Sequence, residues 1–501
     1  MQENPLEWQA ALRSELESLI NTRTFKILKG PPPIGVKPRS YKIVLKNKMC
    51  TNATIACRKA RVVVRGFEQQ WGIDYFETFA SVIRYNTLRA LLALAAILDL
   101  EIDQLDVDTA FLNPDCEEEI YMEVPDYFDS IMPGITKHTH YFQLLKSLYG
   151  LKQAPRAWFE LVKMEFQKLG LKAGDSDPNL FIGKGVYILL FVDDMLIVGK
   201  RIQVDDIKKE IHRLWKCKEP KKADLFIGFQ IKRDRPNRTL RIHQEAYTLR
   251  LLEKLGMENS NPRNLPIAPG TVLRSTDQDQ YLEIDQDQAA IYRMIVGSAI
   301  YLSNCTRPDI AYTVGQLARM MAKPNTNHLS IAKQLLRYLK GTTKLGILYK
   351  PTSLGNDYVL WSDATWGTED DRKSFQGYIL IRYYGAISWT ANRQKSTSQS
   401  TMEAEICAGS EAAREAAWME KLVKDLGQSE SVNTPVLYID NTAAEELSKT
   451  WKSHSKAKHI EIREMFLCND MVLRNRLIVE HIPSKDNIAD TLTKQLPRDQ
   501  F

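Results

Sequence analysis

Residues 186–199 read VYILLFVDDMLIVG. Seven apolar residues run into Asp193 and Asp194, and five more residues, mostly apolar, follow. This pattern predicts two strands, 186–192 and 195–198, joined by a tight turn that carries both carboxylates at its tip. Continuous apolar strands imply burial on both faces, so the tip sits at the edge of a packed sheet. Two carboxylates a few Å apart repel by about 4 kcal/mol at an effective dielectric of 20, and burial raises the cost of each charge. A hard divalent cation such as magnesium reverses that balance.

A second acidic string, LDVDTAFLN at 105–113, has the same character. Asp106 falls on the opposite strand face from Val107, and Asp108 takes the next same-side position. If this strand pairs beside the hairpin, Asp106 and Asp193 can share a metal. Two such ions about 3.5–4 Å apart clamp the attacking and leaving oxygens in phosphoryl or nucleotidyl transfer.

Outward from these strings, the 501 residues predict about three domains. With 44% apolar and 26% charged residues the chain is globular rather than broadly disordered. The longest apolar run, residues 90–98, is too short to span a bilayer, no secretory signal is visible, and no membrane partner is expected. The seven cysteines form no C-x-x-C pair, which argues against a zinc site or a disulfide scaffold and fits a reducing compartment. The net charge of +6 hides a sharp asymmetry: between Glu17 and Glu68 there are twelve Lys/Arg and no acid, an electrostatic footprint for a polyanion. Residues 43–45 and 62–64 read as strands inside that basic block. Helical spacing of Trp8, Leu12, Leu16, Leu19 and Ile20 predicts an N-terminal helix. Further helices are expected over 86–98, 149–170 (continuing past Pro155), 292–302 and 331–339. Residues 262–288, rich in Pro, Asp and Gln, read as a linker or exposed excursion. A second boundary falls near 351–357, beyond which the pattern becomes strand–strand–helix–strand–helix.

Five long strings occur in order: ARVVVRGF, DYFETFASV, LDVDTAFLN, SLYGLKQAPRAW and FVDDMLIVG. Together with RPDIAY (307–312) and LLRYLKGT (335–342), this chain resembles the reverse transcriptase of copia-type LTR retrotransposons over nearly its whole length. The resemblance implies that Asp106, Asp193 and Asp194 are metal-binding catalytic aspartates. It implies that Phe111 is the steric gate crowding a ribose 2′-OH, and that Arg61, with Lys59 nearby, holds the incoming triphosphate through bidentate contacts. Gly150, Lys152 and Gln153 lie at the turn where the nascent base pair would pack. Pro114, where the family usually has Gly, puts the turn after the first catalytic strand in question.

In the last third, Asp363 (VLWSDATWG), Glu405 (TMEAEICAGSEAAREAAW), Asp440 (VLYIDN) and Asp490 (DNIADTLTK) follow in the order Asp, Glu, Asp, Asp over a strand–helix–strand–helix pattern. They resemble the four carboxylates of an RNase H domain. Glu403 competes with Glu405, which is preferred because Ala404-Glu405 is followed by Ala408. His481 is a weaker candidate for a proton shuttle, and His459, in KHIEIR (458–463), for a structural position. Thr365 and Ile406 stand where the family usually has an acid and a tyrosine.

The fold class expected is an α+β right-hand polymerase with fingers, palm and thumb, followed by a mixed α/β RNase H-like domain. The boundaries expected are 1–244 for fingers and palm, 245–352 for thumb and connection, and 353–501 for the nuclease domain. The function implied is RNA-directed DNA polymerisation with RNase H activity, using two Mg²⁺ per site, Mn²⁺ substituting. Its partners would be an RNA template, a DNA primer strand, their RNA–DNA hybrid and dNTPs, with a homodimer or particle-associated polyprotein as further family partners. By the same analogy the location is cytoplasmic, in a virus-like particle, or nuclear. The rival reading is a catalytically inactive nucleic-acid-binding remnant, which shares the basic surface and differs in whether the acids work.

Overall fold

The computed structural model describes residues 5–49, 55–271, 273, 282–367, 372–449 and 466–501. His459, the KHIEIR string and most of the central 272–281 stretch lie outside the described residues.

Helix α1 (Pro5–Asn21) turns its Trp8, Leu12, Leu16 and Leu19 stripe inward. After strand β1 (Phe25–Lys29), the basic block forms a long antiparallel hairpin of β2 (Tyr41–Met49) and β3 (Ile55–Val64). The apolar stripe of α1 shares a core with Ala60, Val62 and Val64, and the buried Glu15 accepts the Val62 N–H at 3.2 Å. Helix α2 (Tyr85–Ile97) is apolar on most faces and buried from Thr87 to Ala96. It leads into β4 (Glu101–Asp106), then the short strands β5 (Tyr121–Glu123) and β6 (His140–Leu144), which join β1 in a small sheet.

Helix α3 spans Ala154–Lys168, shorter at its start than the 149–170 expected. Pro155 sits in its first turn, where the missing N–H has no helical partner to lose. Residues 149–153 form a turn instead, with Gly150 at φ +93°. Strands β7 (Lys172–Ala173), β8 (Leu180–Gly183), β9 (Val186–Phe191) and β10 (Asp194–Gly199) follow, then α4 (Arg201–Leu214) and β11 (Lys221–Lys222). These strands and β4 make an antiparallel six-stranded sheet in the order β11-β4-β10-β9-β8-β7. The sheet has two dry faces, as the unbroken apolar run implies. Leu189, Leu196 and Val198 pack with α2, while Ile188, Met195 and Ile197 pack with Trp158 and Phe166 of α3 and Ile207 of α4.

Strands β12 (Leu225–Phe226), β13 (Phe229–Asp234) and β14 (Thr239–His243) precede four helices: α5 (Glu245–Lys254), α6 (Gln286–Cys305), α7 (Ala311–Ala318) and α8 (Thr326–Gly341). Strand β15 (Gly346–Tyr349) then returns to pair with β14, so the boundary expected at residue 244 runs through one sheet. Within the helical layer RPDIAY and LLRYLKGT meet. Arg307, 2% exposed, binds Asp309 at 2.7 Å and the Thr342 carbonyl at 3.0 Å, and the Tyr338 hydroxyl donates to Asp309 at 2.7 Å.

The remaining strands are β16 (Tyr358–Thr365), β17 (Phe375–Arg382), β18 (Gly385–Arg393), β19 (Val436–Ile439) and β20 (Ile478–His481), with α9 (Thr401–Asp425) and α10 (Thr442–Lys449) between the third and the last. The sheet order is β18-β17-β16-β19-β20, antiparallel on one side of β16 and parallel on the other. This is a mixed RNase H-like sheet, and it follows a right-hand polymerase fold.

The nuclease-like unit is packed against the palm. Arg89 of α2, fully buried, donates to the Ile387 carbonyl at 2.7 Å and to the Asn304 and Cys305 carbonyls at 2.8 and 2.9 Å, and lies over the Trp389 ring. Asp425 of α9 accepts from the Ser176 N–H at 2.8 Å, and Trp418 donates to the Ser176 carbonyl at 3.0 Å. Among the described residues no helix is long and apolar enough to cross a membrane.

Candidate active sites

Strand register brings the palm aspartates together. Asp194, the first residue of β10, lies directly opposite Asp106, the last residue of β4. Asp193 occupies the two-residue turn with Val192, and its carbonyl accepts the Val107 N–H at 2.9 Å. The cross-strand neighbour of Asp106 is therefore Asp194 rather than Asp193. Gln104 donates to Asp194 at 3.1 Å, and burial, with the charges of Asp193 and Asp106, raises the Asp194 pKa. Lys218 forms an ion pair with Asp106. The three palm carboxylates are not among the groups of described residues whose ligand atoms all lie within 4.8 Å of one another. Asp108 donates its N–H to the Lys216 carbonyl at 2.9 Å.

Phe111 lies in a single 3₁₀ turn, 110–112, and meets the Tyr149 ring edge-on at 5.4 Å. Arg61 stacks over the Tyr149 ring, 4.7 Å from its centroid, and its buried Nε has no hydrogen-bond partner. Burial, with the nearby negative charges of Glu15 and Asp193, pushes Tyr149 up to about 12. Lys59 shares a strand face with Arg61, and both act on Glu15. Gly150 is needed for contact as well as for its φ: a Cβ there would stand 2.0 Å from the Val64 carbonyl oxygen. Lys152 and Gln153 are tied into the 69–75 segment. The Lys152 ammonium reaches the Tyr75 hydroxyl at 3.1 Å, and buried Gln153 donates to the Asp74 carbonyl and Glu118 at 2.9 Å each. These contacts anchor the turn. Pro114 closes its turn through its carbonyl, which accepts the Ser147 N–H at 2.9 Å, so the missing donor is not called upon. A cavity of about 530 Å³ beneath Gln153 carries Glu77, Asp115, Glu117, Glu118 and Glu160 against Arg156 alone, a charge balance that disfavours a phosphate.

The nuclease-like unit gathers its acids from separate elements. Asp363 of β16, Asp440 just after β19 and Asp490 in a 3₁₀ turn at 488–492 place carboxylate oxygens within 4.8 Å of one another. Glu405 of α9 joins them: it accepts the Ala364 N–H at 3.3 Å, and its buried Oε2 has no partner. Burial, then the charges of Asp363 and Asp440, raises the Glu405 pKa well above the usual range. Asp363 is raised to about 6, mainly by burial. Glu403 is used differently. It accepts the Gln399 N–H at 2.7 Å while Ser400 caps its own N–H at 3.2 Å, an N-terminal cap for α9. His481 ends β20, exposed, in register with Ile439 beside Asp440. Thr365 donates to the Thr493 carbonyl at 3.1 Å, and Ile406 is core.

Two lysines that the sequence reading passed over occupy these clusters. Lys494 reaches Asp490 at 2.8 Å and Asp363 at 3.3 Å, and Lys218 binds Asp106. Lys494 could have been found from its i+4 spacing to Asp490; Lys218, 112 residues from Asp106, gives no local signal. Thr493, whose hydroxyl donates to Asp363, was also missed. An all-carboxylate donor set with an orphaned buried oxygen and raised pKa values fits a hard divalent cation.

Residues 22–269 match the family model described as reverse transcriptase (RNA-dependent DNA polymerase). The chain is 38% identical to the retrovirus-related Pol polyprotein from transposon TNT 1-94 of Nicotiana tabacum, with 98% of this chain and 37% of that protein covered. The chain belongs to the copia-type retrotransposon Pol family. The polyprotein from transposon RE1 of Arabidopsis thaliana is 35% identical, with 99% and 33% covered. The Ty1-DR1 Gag-Pol polyprotein of Saccharomyces cerevisiae is 30% identical, with 88% and 26% covered. The chain thus spans about a third of the length of these copia-type relatives. Among solved structures, the foamy viral protease-reverse transcriptase in complex with RNA/DNA hybrid matches with a TM-score of 0.50 and 10% identity, over 98% of this chain and 56% of that one. At that identity the likeness is one of fold, a reverse transcriptase fold.

Proposed function

We propose that this segment copies an RNA template into DNA and then hydrolyses the RNA strand of the resulting hybrid. The register that sets Asp106 opposite Asp194, with Asp193 in the adjoining turn, is the observation that carries the polymerase half. In this reading the primer 3′-OH attacks the α-phosphate of a dNTP and pyrophosphate leaves. Asp106, Asp193 and Asp194 would hold two Mg²⁺ ions, with Mn²⁺ able to substitute; when bound, the ions supply Lewis-acid stabilisation of the attacking and leaving oxygens. Arg61 and Lys59 orient the triphosphate, for which the unpartnered Arg61 Nε is available. Phe111, held edge-on by Tyr149, crowds the sugar. The basic β2–β3 hairpin holds nucleic acid through its backbone, so binding weakens steeply with salt.

The domain divisions that go with this reading are fingers and palm to about residue 244, thumb and connection to 352, and the nuclease unit from 353, with the shared β12–β15 sheet bridging the first two. In the nuclease unit Asp363, Glu405, Asp440 and Asp490 would hold the second ion pair.

Primer extension on poly(rA)–oligo(dT) with Mg²⁺ tests the first half. Extension by the wild type no better than that of Asp193→Asn would leave only a nucleic-acid-binding segment. A labelled RNA–DNA hybrid left intact in the presence of Mn²⁺ would remove the second half.

A further inference from the structure

The turn that presents Asp193 and Asp194 is held in a costly conformation. Val192, its first residue, has φ +56°, in the left-handed region that a β-branched side chain disfavours by about 1–3 kcal/mol. Among the described residues three β-branched side chains sit at left-handed φ: Thr109, Val192 and Ile227. Val192 adjoins Asp193 directly, and Thr109 lies three residues beyond Asp106. Something must hold Val192 there, and its side chain, 38% exposed, does not. Its backbone carbonyl does: it accepts the Trp158 indole N–H at 2.6 Å.

Trp158 is well placed for this. It comes from the first two turns of α3, is 1% exposed, and meets the Trp215 ring edge-on at 5.1 Å. Trp215 begins the segment whose Lys216 carbonyl receives the Asp108 N–H and whose Lys218 pairs with Asp106. The same aromatic pair therefore backs the Asp193–Asp194 turn and the strand beside Asp106. An indole is suited to the task, because it fills a core position with apolar surface and keeps one directional donor at its edge.

We propose that Trp158 is a positioning residue of the polymerase site: its indole N–H locks the Val192 carbonyl and so fixes the strained turn that aims Asp193 and Asp194. The inference rests on the polymerase reading above, and the two fail separately. A wild-type chain that does not extend a primer defeats the reading. A wild type that extends, with no effect at Trp158, defeats only the inference.

The test is Trp158→Phe, which keeps a ring in the core and removes the donor, with kcat, the dNTP KM and the half-saturating Mg²⁺ concentration measured in primer extension. The expected result is a fall in kcat of about tenfold and a rise in the Mg²⁺ midpoint of about threefold, with KM changed less than twofold. Adding Val192→Gly should recover most of the loss, since glycine takes a left-handed φ without a clamp. Because a Phe in place of Trp leaves space, the same assays are run with 3-benzothienylalanine at position 158, which replaces the N–H by sulfur in nearly the same shape. Wild-type kcat and Mg²⁺ midpoint in that variant overturn the proposal. A loss that Val192→Gly does not recover, accompanied by a lowered melting temperature, also overturns it by showing Trp158 to be packing alone.

Discussion

In the palm, Asp106 and Asp194 face each other across two neighbouring strands, and the Asp106 side chain is 29% exposed. In the nuclease-like unit Asp363 is 1% exposed, and its partners arrive from a helix, a strand end and a 3₁₀ turn up to 127 residues away. The palm solves the problem of gathering charge by sheet register and leaves its acids partly exposed, though burial raises the Asp194 pKa there too. The nuclease-like unit solves it by burial, which raises the Asp363 and Glu405 pKa values. Each cluster also contains a lysine, Lys218 or Lys494, that offsets like-charge repulsion at one or two of the acids. An exposed cluster tolerates its own charge through water; a buried one must be neutralised by protons, a lysine or a cation.

The largest expected effect breaks the comparison at its root. Asp106→Asn should lower primer extension by more than about a thousandfold, because it removes a charged donor from the proposed metal set, while hybrid cleavage stays within about threefold of wild type. Loss of both activities would mean that the two clusters do not act as separate sites. Next in size, Glu405→Gln should lower hybrid cleavage by at least about a hundredfold and leave extension near wild type. A variant that still cleaves would take Glu405 out of the nuclease set.

Much of this contrast could be read in the residues, and what could not has a common cause. The continuous apolar runs around Asp193 and Asp194 predict the hairpin, since an unbroken apolar segment flanking a polar pair is a local property of the chain. They could not give the pairing of Asp106 with Asp194, because register depends on where β4 docks. Helix α2 is legible in its largely apolar sequence, but nothing local shows that Arg89 within it bridges the palm and the nuclease-like unit; its three carbonyl partners lie over 200 residues away. Helix α3 starts at Ala154 rather than at the expected 149 because Pro155 belongs in a helix's first turn, not in its interior. The choice of Glu405 over Glu403 rested on family spacing, while the cap at Gln399 and Ser400 that occupies Glu403 becomes visible only once the helix end is placed.

A stability measurement sharpens the difference between open and buried acids. Asp363 binds its proton more tightly in the folded chain than in the unfolded one, with a pKa of about 6 against an ordinary 3.8. Its ionisation therefore opposes folding: the relative stability it allows is full below pH about 4 and is lost as pH rises through 6. Asp363→Asn removes that dependence and leaves Lys494 paired with Asp490. In metal-free buffer the variant should be more stable than wild type at pH 8, the gap closing towards pH 4. Added Mg²⁺ should narrow the gap at pH 8 by stabilising wild type alone. A gap independent of pH in denaturant titrations would show that burial of Asp363 is not what raises its proton affinity.

The smallest effect separates two acids that stand two residues apart on one helix. Glu405 faces the carboxylate cluster, whereas Glu403 closes the N-terminus of α9 by accepting the Gln399 N–H, with Ser400 returning the favour to the Glu403 N–H. Caps of this kind contribute about 1 kcal/mol. Glu403→Ala should therefore lower unfolding stability by about that amount and change hybrid cleavage less than twofold, with the same Mg²⁺ midpoint as wild type. Ser400→Ala should cost a similar amount, and the double variant less than the sum, since the two residues cap the same turn. If Glu403→Ala instead shifted the Mg²⁺ midpoint without a loss of stability, Glu403 would belong to the metal set, and the division of labour along this helix would have to be redrawn.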